Sequence, residues 1–555
     1  MMNDKNASSH HERRQTMRLG LLPRTGAMAR RVFRQLVFTA GAALLASAVF
    51  AQAPRSGGTL NLIVNPEPPG INLGNSKLGP SSFVGSKIYE GLISLSPKLE
   101  PIPRLAQSWT ISPDGKVYTF KLRPGVKWHD GKPFTSADVL FSFKQYLPAT
   151  FARTKLIMEQ TASIEAPDDL TVVFTLKNPY PAFMYIFEAT GGTIMPKHVY
   201  EGVTDYRTTS VNNTIVGTGP FKLAEWRRGA FIKLVKNPDY WDKGKPHLDN
   251  LFFHIVPDAV GRSIAFESGK VDAIRAGDVE NFEIARLAAA PGVSLTKAGW
   301  EFLQPVGFLN MNLRNKPIDD LRFRQAIAHA IDRQFIIKNL FSTFGETVNG
   351  PFPGGYAFRD TSVETKYSYD PARAKALLDE MGLKPGPDGT RVTLRLLPLP
   401  YGETWQRLAE FTRERLGAVG IKTTIVATDV PGWASRISSG DFDLAYNFVY
   451  LLGDPAIGVN QTYLSTNQLN RGSAANVDGY VNQEVDALLI KAERETNKTE
   501  RAKLYSQIQK ILSRDLPILW THQMVMPTVY RTKVNNLIST GLGMNENFAD
   551  VWIGK

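Results

Sequence analysis

Cysteine is absent from the 555 residues, which excludes disulfides, iron–sulfur clusters, thiol nucleophiles and lipid attachment at a cysteine. Histidine is scarce. Beyond residue 53 there are only His129, His198, His247, His254, His329 and His522, no two of them four apart. Metal-ligating spacings such as HExxH are therefore missing, and neither a metal nor any other cofactor is expected. There is no GxxxxGK[ST] loop, complete dinucleotide fingerprint or GxSxG elbow, so phosphate-cradling and serine-esterase chemistry lack their positioning devices. Ser294-Leu295-Thr296-Lys297 fits SxxK, but it falls in an expected strand and has no SDN or KTG companion. Arg13-Arg14 and Arg227-Arg228 are too short and isolated to follow a phosphate backbone, so nucleic acid is not an expected partner. Long apolar runs are missing too. The longest, 36–50, falls short of the roughly 20 residues a membrane-spanning helix needs.

What is present is a chain of ordinary globular composition, 43% hydrophobic, 10% aromatic and 21% charged, too long for a single core. The basic excess is 65 Lys+Arg over 52 Asp+Glu. Nearly half of it belongs to residues 1–53, where eight basic residues meet two acidic ones. From Met28 a basic stretch, the apolar run and a small-residue end at 51–53 have the layout of a secretory signal peptide, with cleavage expected after Ala51 or Ala53. Arg30-Arg31 suits either Tat or Sec export, and residues 1–27 read as an upstream extension. A secreted, cysteine-free product points to a bacterial periplasm.

The remaining chain has two textures. A strand at 59–64 stops at Asn65-Pro66-Glu67-Pro68-Pro69-Gly70, and hairpins are expected around Ser112-Pro113-Asp114-Gly115, Ala166-Pro167-Asp168-Asp169 and Arg227-Arg228-Gly229. Between them Thr135, with Asp138 three residues on, should cap a helix near 137–146. Further along, one helix is expected from Asp319 or Asp320 to about 340, and another from Asp370-Pro371 to Gly382. Strands near 392–397, 421–426 and 442–448 then alternate with helices near 404–418 and 431–438, which implies parallel strands joined by crossovers. Two halves of different build and no catalytic signature favour binding over turnover. The rival reading is a secreted hydrolase using Asp441, Asp443 and Asp454 as its acid–base group.

The segment Glu90-Gly91-Leu92, Leu105-Ala106-Gln107-Ser108-Trp109, Tyr118-Thr119-Phe120-Lys121-Leu122-Arg123, Trp128-His129-Asp130-Gly131 and Pro133-Phe134-Thr135-Ser136-Ala137-Asp138-Val139 closely resembles the solute-binding proteins of peptide/nickel/opine-type ABC importers, solute-binding protein family 5. Gly217-Thr218-Gly219-Pro220-Phe221, Asn237-Pro238-Asp239-Tyr240-Trp241, Phe323-Arg324-Gln325-Ala326-Ile327 and Gly440-Asp441-Phe442-Asp443 extend the resemblance. It implies an α/β, two-lobed periplasmic-binding-protein fold of the type II-like, cluster C kind. Lobe one would be 54–308 plus 525–555, with an extra β-rich subdomain near 99–222, and lobe two 309–524. The hinge would lie at Phe308, Asn310 and Asn312, with the return near 522–527. The implied partners are a small-molecule or peptide-like ligand and an inner-membrane ABC permease, the receptor itself being a monomer.

Leu399-Pro400-Tyr401 resembles the Arg-Pro-Tyr of dipeptide-binding relatives, with Leu399 where they hold the peptide carboxylate by an arginine. The segment from Asn447 to Asp454-Pro455 lacks the aspartate with which those relatives pair the peptide amine. On this resemblance the ligand contacts are Glu67, Leu399, Tyr401, Trp405, Trp433, Tyr450 and Asp454, an aromatic pocket without the two ionic grips of a dipeptide site.

Overall fold

The computed structural model describes residues 53–468 and 475–554. The signal-peptide expectation, 1–53, falls outside the described residues except for its last. The strand Thr59–Ile63 buries Leu60 and Leu62 on one face and pairs in parallel with Asn250–His254 and Ala273–Arg275. These are inner members of a seven-stranded sheet ordered Val293–Thr296, Thr528–Arg531, Ala273–Arg275, Thr59–Ile63, Asn250–His254, Phe231–Lys236, Phe221–Arg227. The last two form the expected hairpin, turned by Gly229 at φ 72°, a conformation that favours glycine. Between the first strand and this hairpin lies a four-stranded antiparallel sheet in the order Ala106–Ile111, Val117–Leu122, Thr171–Leu176, Thr161–Asp168. It buries Tyr118, Phe120, Leu122, Val172 and Phe174. Beside it, Thr135 and Asp138 make a full capping box on helix Ser136–Phe141, a device worth about 1 kcal/mol.

The second sheet has six strands: Gly345–Glu346, Ile518–Met524, Val306–Met311, Leu444–Val449, Val392–Leu397 and Ile421–Ile425. The last three are mutually parallel, linked by helices Glu403–Gly417 and Val430–Ser439, as the alternation in sequence implies. Each sheet anchors its own hydrophobic cluster, the first holding Phe83, Phe120 and Phe253, the second Phe308, Leu396 and Tyr446. Two expectations change here. The helix from 320 to about 340 is broken: Leu321–Ala330 ends at Ile331 in extended backbone, and Asp332 caps a new turn by accepting from the Phe335 amide. Helical spacing of the apolar residues runs through the break because both pieces bury the same side against lobe two.

The hinge expectation is also corrected. Phe308, Asn310 and Asn312 are buried and belong to lobe two, the first two in strand Val306–Met311, which is paired along both edges. Asn310 donates to Asp478 (2.7 Å), and Asn312 donates to the carbonyls of Gly440 (3.0 Å) and Phe442 (2.9 Å). A strand held on both edges cannot absorb the backbone rotation that a hinge requires. The chain leaves the first sheet after Val293–Thr296 and enters the second at Val306–Met311, so it crosses at 297–305 and returns at 525–527, between Ile518–Met524 and Thr528–Arg531. Within the first crossing, the Phe302 amide donates to Gly541 O (3.2 Å), on the first-lobe side, while its carbonyl accepts from Gly453 N (2.8 Å) of the second.

Candidate functional site

Parallel strands place the loops at their C-terminal ends on one edge, and here two of those loops converge. After Val392–Leu397 the chain runs through Leu399-Pro400-Tyr401 and turns at Gly402 (φ 99°) into helix Glu403–Gly417, which carries Trp405 in its first turn. After Leu444–Val449 comes Tyr450. The Phe448 ring joins the two: it lies 6.2 Å from Trp405, stacked at 25°, 6.2 Å from Tyr401 and 5.1 Å from Tyr450. Tyr401 is 52% exposed, so this wall opens to solvent. Burial raises the Tyr450 phenol to about 12, which keeps it a neutral hydrogen-bonding hydroxyl at physiological pH.

Behind the wall stands His522, from the return strand Ile518–Met524. Its ring is 4.1 Å from Phe341 and 6.1 Å from Trp405. Nδ1 shares a hydrogen bond with Thr521 Oγ1 (2.9 Å), Nε2 has no hydrogen-bond partner among the described residues, and burial drives the imidazole down to about 3, so it stays neutral. The ring fits only because residue 307 is glycine; a Cβ there would lie 2.6 Å from His522 Cε1. From helix Glu403–Gly417, Arg407 pairs with Glu280 of the first lobe (2.6 Å), at the start of helix Asn281–Ala288, and so ties the two lobes together.

The structure thus brings Tyr401, Trp405 and Tyr450 together and places the other anticipated contacts elsewhere. Leu399 is 1% exposed in the second hydrophobic cluster and offers the cleft no side-chain surface. Trp433 is buried in the same cluster, its Nε1 without a hydrogen-bond partner among the described residues. Glu67 is committed within lobe one, where it accepts from Trp226 Nε1 (2.9 Å) and Gly229 N (3.0 Å) and lies 3.6 Å from Arg228. Asp454 forms a bidentate pair with Arg501 (2.5 and 2.7 Å), both side chains 5% exposed, and it caps the turn Pro455–Gly458. Phe448, Phe341 and His522 escaped sequence reasoning. Of these only Phe448 carried a signal, its two-residue spacing from Tyr446 and Tyr450 on one strand face.

The acid–base group of the hydrolase reading does not come together: Asp441 and Asp443 share Arg395, and Asp454 is held apart by Arg501. Asp441 pairs with Arg395 and Arg436, Asp443 with Arg395 and Asn315, and Asp454 with Arg501. Each carboxylate is held by a guanidinium, and at Asp443 burial works to raise the carboxyl but Arg395 outweighs it and holds it below its ordinary value, which opposes general-acid work there.

Two α/β lobes joined by two crossings and facing each other beside an aromatic wall define a two-lobed solute-binding protein. The sequence pattern of the bacterial extracellular solute-binding proteins, family 5 (middle), matches residues 100–470, and the chain belongs to that family. Di/tripeptide-binding protein 1 of Pseudomonas aeruginosa is 29% identical over 481 residues, 82% of this chain and 86% of that protein. The glutathione-binding protein GsiB of Pectobacterium atrosepticum is 29% identical over 79% of this chain and 83% of its own length. Among solved structures, the ABC transporter-associated periplasmic binding protein DppA of Helicobacter pylori, in complex with the peptide STSA, superposes with a TM-score of 0.76 at 25% identity, covering 90% of this chain and 99% of that one. AgaA of A. tumefaciens R10, in complex with agropinic acid, gives 0.76 at 27% over the same shares. The protein is a solute-binding receptor of an ABC importer. No helix among the described residues is long and apolar enough to cross a membrane.

Proposed function

We propose that the chain captures a peptide or peptide-like solute between its lobes in the periplasm and delivers it, as a monomer and without making or breaking a bond, to an inner-membrane permease. The observation that carries the reading is the Tyr401/Trp405/Phe448/Tyr450 wall, a rigid apolar surface with phenolic hydroxyls at one edge. Such surfaces hold the body of a small solute by stacking and a few hydrogen bonds. With Leu399 in the core and Asp454 paired to Arg501, the solute is not gripped at its termini by these two positions. Relatives named for di/tripeptides and glutathione, and neighbours holding a peptide or agropinic acid, support the same class.

The test is a thermal-shift screen of short peptides, glutathione, opine-type conjugates and sugars. A true ligand at one hundred times its Kd stabilises by about 2.7 kcal/mol through mass action. Tyr450→Ala should then weaken that ligand at least tenfold, about 1.4 kcal/mol, without unfolding the protein. A library that leaves the melting curve unmoved would sink the reading, and unchanged affinity in Tyr450→Ala would displace the wall from the site.

A further inference from the structure

The segment that follows Tyr450 belongs to both lobes. Leu451 and Val459 pack in the second hydrophobic cluster, whereas Leu452, Ala456 and Ile457 pack in the first. The same stretch is tied to the outgoing crossing, Leu451 N donating to Leu303 O (2.7 Å) and Gly453 N to Phe302 O (2.8 Å). It also folds back on the wall: a Cβ at Gly458 would run into the carbonyls of Tyr450 and Leu451. A shift of 451–458 therefore moves Tyr450 and the crossing together.

Two consecutive residues of this segment, Leu452 (φ 54°) and Gly453 (φ 75°), are left-handed. A leucine keeps such a conformation only where its surroundings over-determine it. Part of those surroundings comes from lobe one. Tyr185, on the tight helical segment Pro181–Phe187 of the β-rich insertion, sets its ring against Gly453, where a Cβ would lie 2.8 Å from Cδ1 and 3.1 Å from Cγ and Cε1. Those separations leave room for a hydrogen and nothing larger. From lobe two, Asp454 anchors the next position through its bidentate pair with Arg501, and Tyr356 Oη donates to Gly453 O (3.4 Å). Residues 452–454 are thus clamped between the lobes, with Tyr185 as the jaw on the side of lobe one.

Resting on the solute-receptor reading and its Tyr450 wall, we propose that Tyr185 is a positioning residue for solute capture, already engaged in the free receptor. Its ring holds 452–453 in the left-handed turn, the turn fixes where Tyr450 stands, and the same turn holds the crossing at Phe302. The ring contact exists only while the insertion and lobe two are together. Tyr450 keeps its place in that form and loses it when the lobes part, so a solute that uses Tyr450 binds the closed form more tightly. This is the differential affinity that closure requires.

Because the chain has no cysteine, spin labels attach only where a cysteine is introduced. Thr110→Cys on the exposed strand Ala106–Ile111 of the insertion and Lys375→Cys on helix Pro371–Glu380 of lobe two carry the labels. In the unliganded protein, double electron–electron resonance should show a population at the separation of this structure. Tyr185→Ala should reduce that population at least threefold, and Tyr185→Phe should keep it. Gly453→Ala should reduce it too, and the double variant Tyr185→Ala/Gly453→Ala should fall no further than the stronger single one, since both act on one contact. The 3-fluorotyrosine resonance of Tyr450, assigned by its loss in Tyr450→Phe, should shift in Tyr185→Ala and stay in place in Tyr185→Phe; a ring that only filled space in lobe one would leave it unmoved. Circular dichroism melting curves matching wild type show that the variants are folded, and if Gly453→Ala does not fold the Tyr185 variants decide alone. A wild type without that population, effects of the two substitutions that add, or a Tyr450 resonance indifferent to Tyr185→Ala overturns the inference. No solute enters these measurements, so they can fail while the solute screen succeeds, and a failed screen removes the receptor reading without altering them.

Discussion

Asp454 shows how far single residues could be read. The Asp-Pro step announces a helix cap, and the cap is there, with Asp454 Oδ1 accepting from Ala456 N (2.9 Å). Its partner Arg501 lies 47 residues away on helix Lys498–Asp515, a pairing that no local pattern encodes. Burial works against the Arg501 charge, but the Asp454 carboxylate outweighs it and holds the guanidinium above its ordinary value. Removing one partner of such a pair strands the other, so Asp454→Ala should cost about 3–5 kcal/mol in urea unfolding. A loss below 1 kcal/mol would mean that Asp454 is available to a ligand after all. Leu399 was misplaced for a related reason: the resemblance gives its position in the chain, whereas the packing of lobe two decides where its side chain points. Tyr401 and Tyr450 were legible because they end parallel strands, the edge where such sheets bind ligands.

Among the elements, those set by local chemistry were read most closely: the Thr135 box, the Ser112–Gly115 turn and the β-α-β alternation after residue 392. The central strand Val306–Met311 was not, because an extended, fully buried segment reads the same whether it crosses between lobes or lies inside one. Its position is fixed by Asp478, which accepts from Asn310 Nδ2 (2.7 Å) and Met311 N (2.9 Å). Burial pushes the Asp478 carboxyl up to about 8, despite those donors and the nearby Arg314 charge. An unfolded aspartate titrates near 3.9, so the folded protein keeps a proton that the unfolded chain gives up. Stability is therefore greatest below about pH 4 on this account and falls as pH rises toward 8. His522 has the opposite sign, but it is neutral in both states above its unfolded value of about 6.5. Burial also lowers Lys77 to about 8, so the comparison with a variant, not the interval alone, isolates Asp478: in urea unfolding between pH 6.5 and 8 the wild type should lose stability relative to Asp478→Asn. Parallel curves would show that Asp478 is ionised in the folded protein.

For the molecule as a whole, composition and the family resemblance anticipated two lobes and a receptor. What they could not supply was which contacts close the lobes, since these join residues more than a hundred positions apart. The Arg407–Glu280 pair is one such contact, with side chains 41% and 24% exposed. Pairs so open to water contribute about 0–1 kcal/mol and are screened by salt. Arg407→Gln should thus weaken a ligand no more than about fivefold, and the wild-type affinity should drift toward that of the variant as sodium chloride is raised. A tenfold or larger loss, indifferent to salt, would make Arg407 a ligand contact.

Phe302 determines what kind of motion the receptor has. Its amide and carbonyl bond to opposite lobes, and Leu303 and Pro305 accept from Leu451 and Met524 of the second, which confines the outgoing connection to 297–301, itself held by local bonds such as Gln304 N to Trp300 O (2.7 Å). The returning connection, between strands Ile518–Met524 and Thr528–Arg531, has three residues, 525–527. Two short tethers fix an axis much as a pair of pins fixes a door leaf: the lobes swing about it and do not slide. Spectroscopic distances between labels on opposite lobes should therefore change in proportion to their separation from the line joining 297–301 to 525–527, and labels placed on that line should report almost nothing when the solute enters.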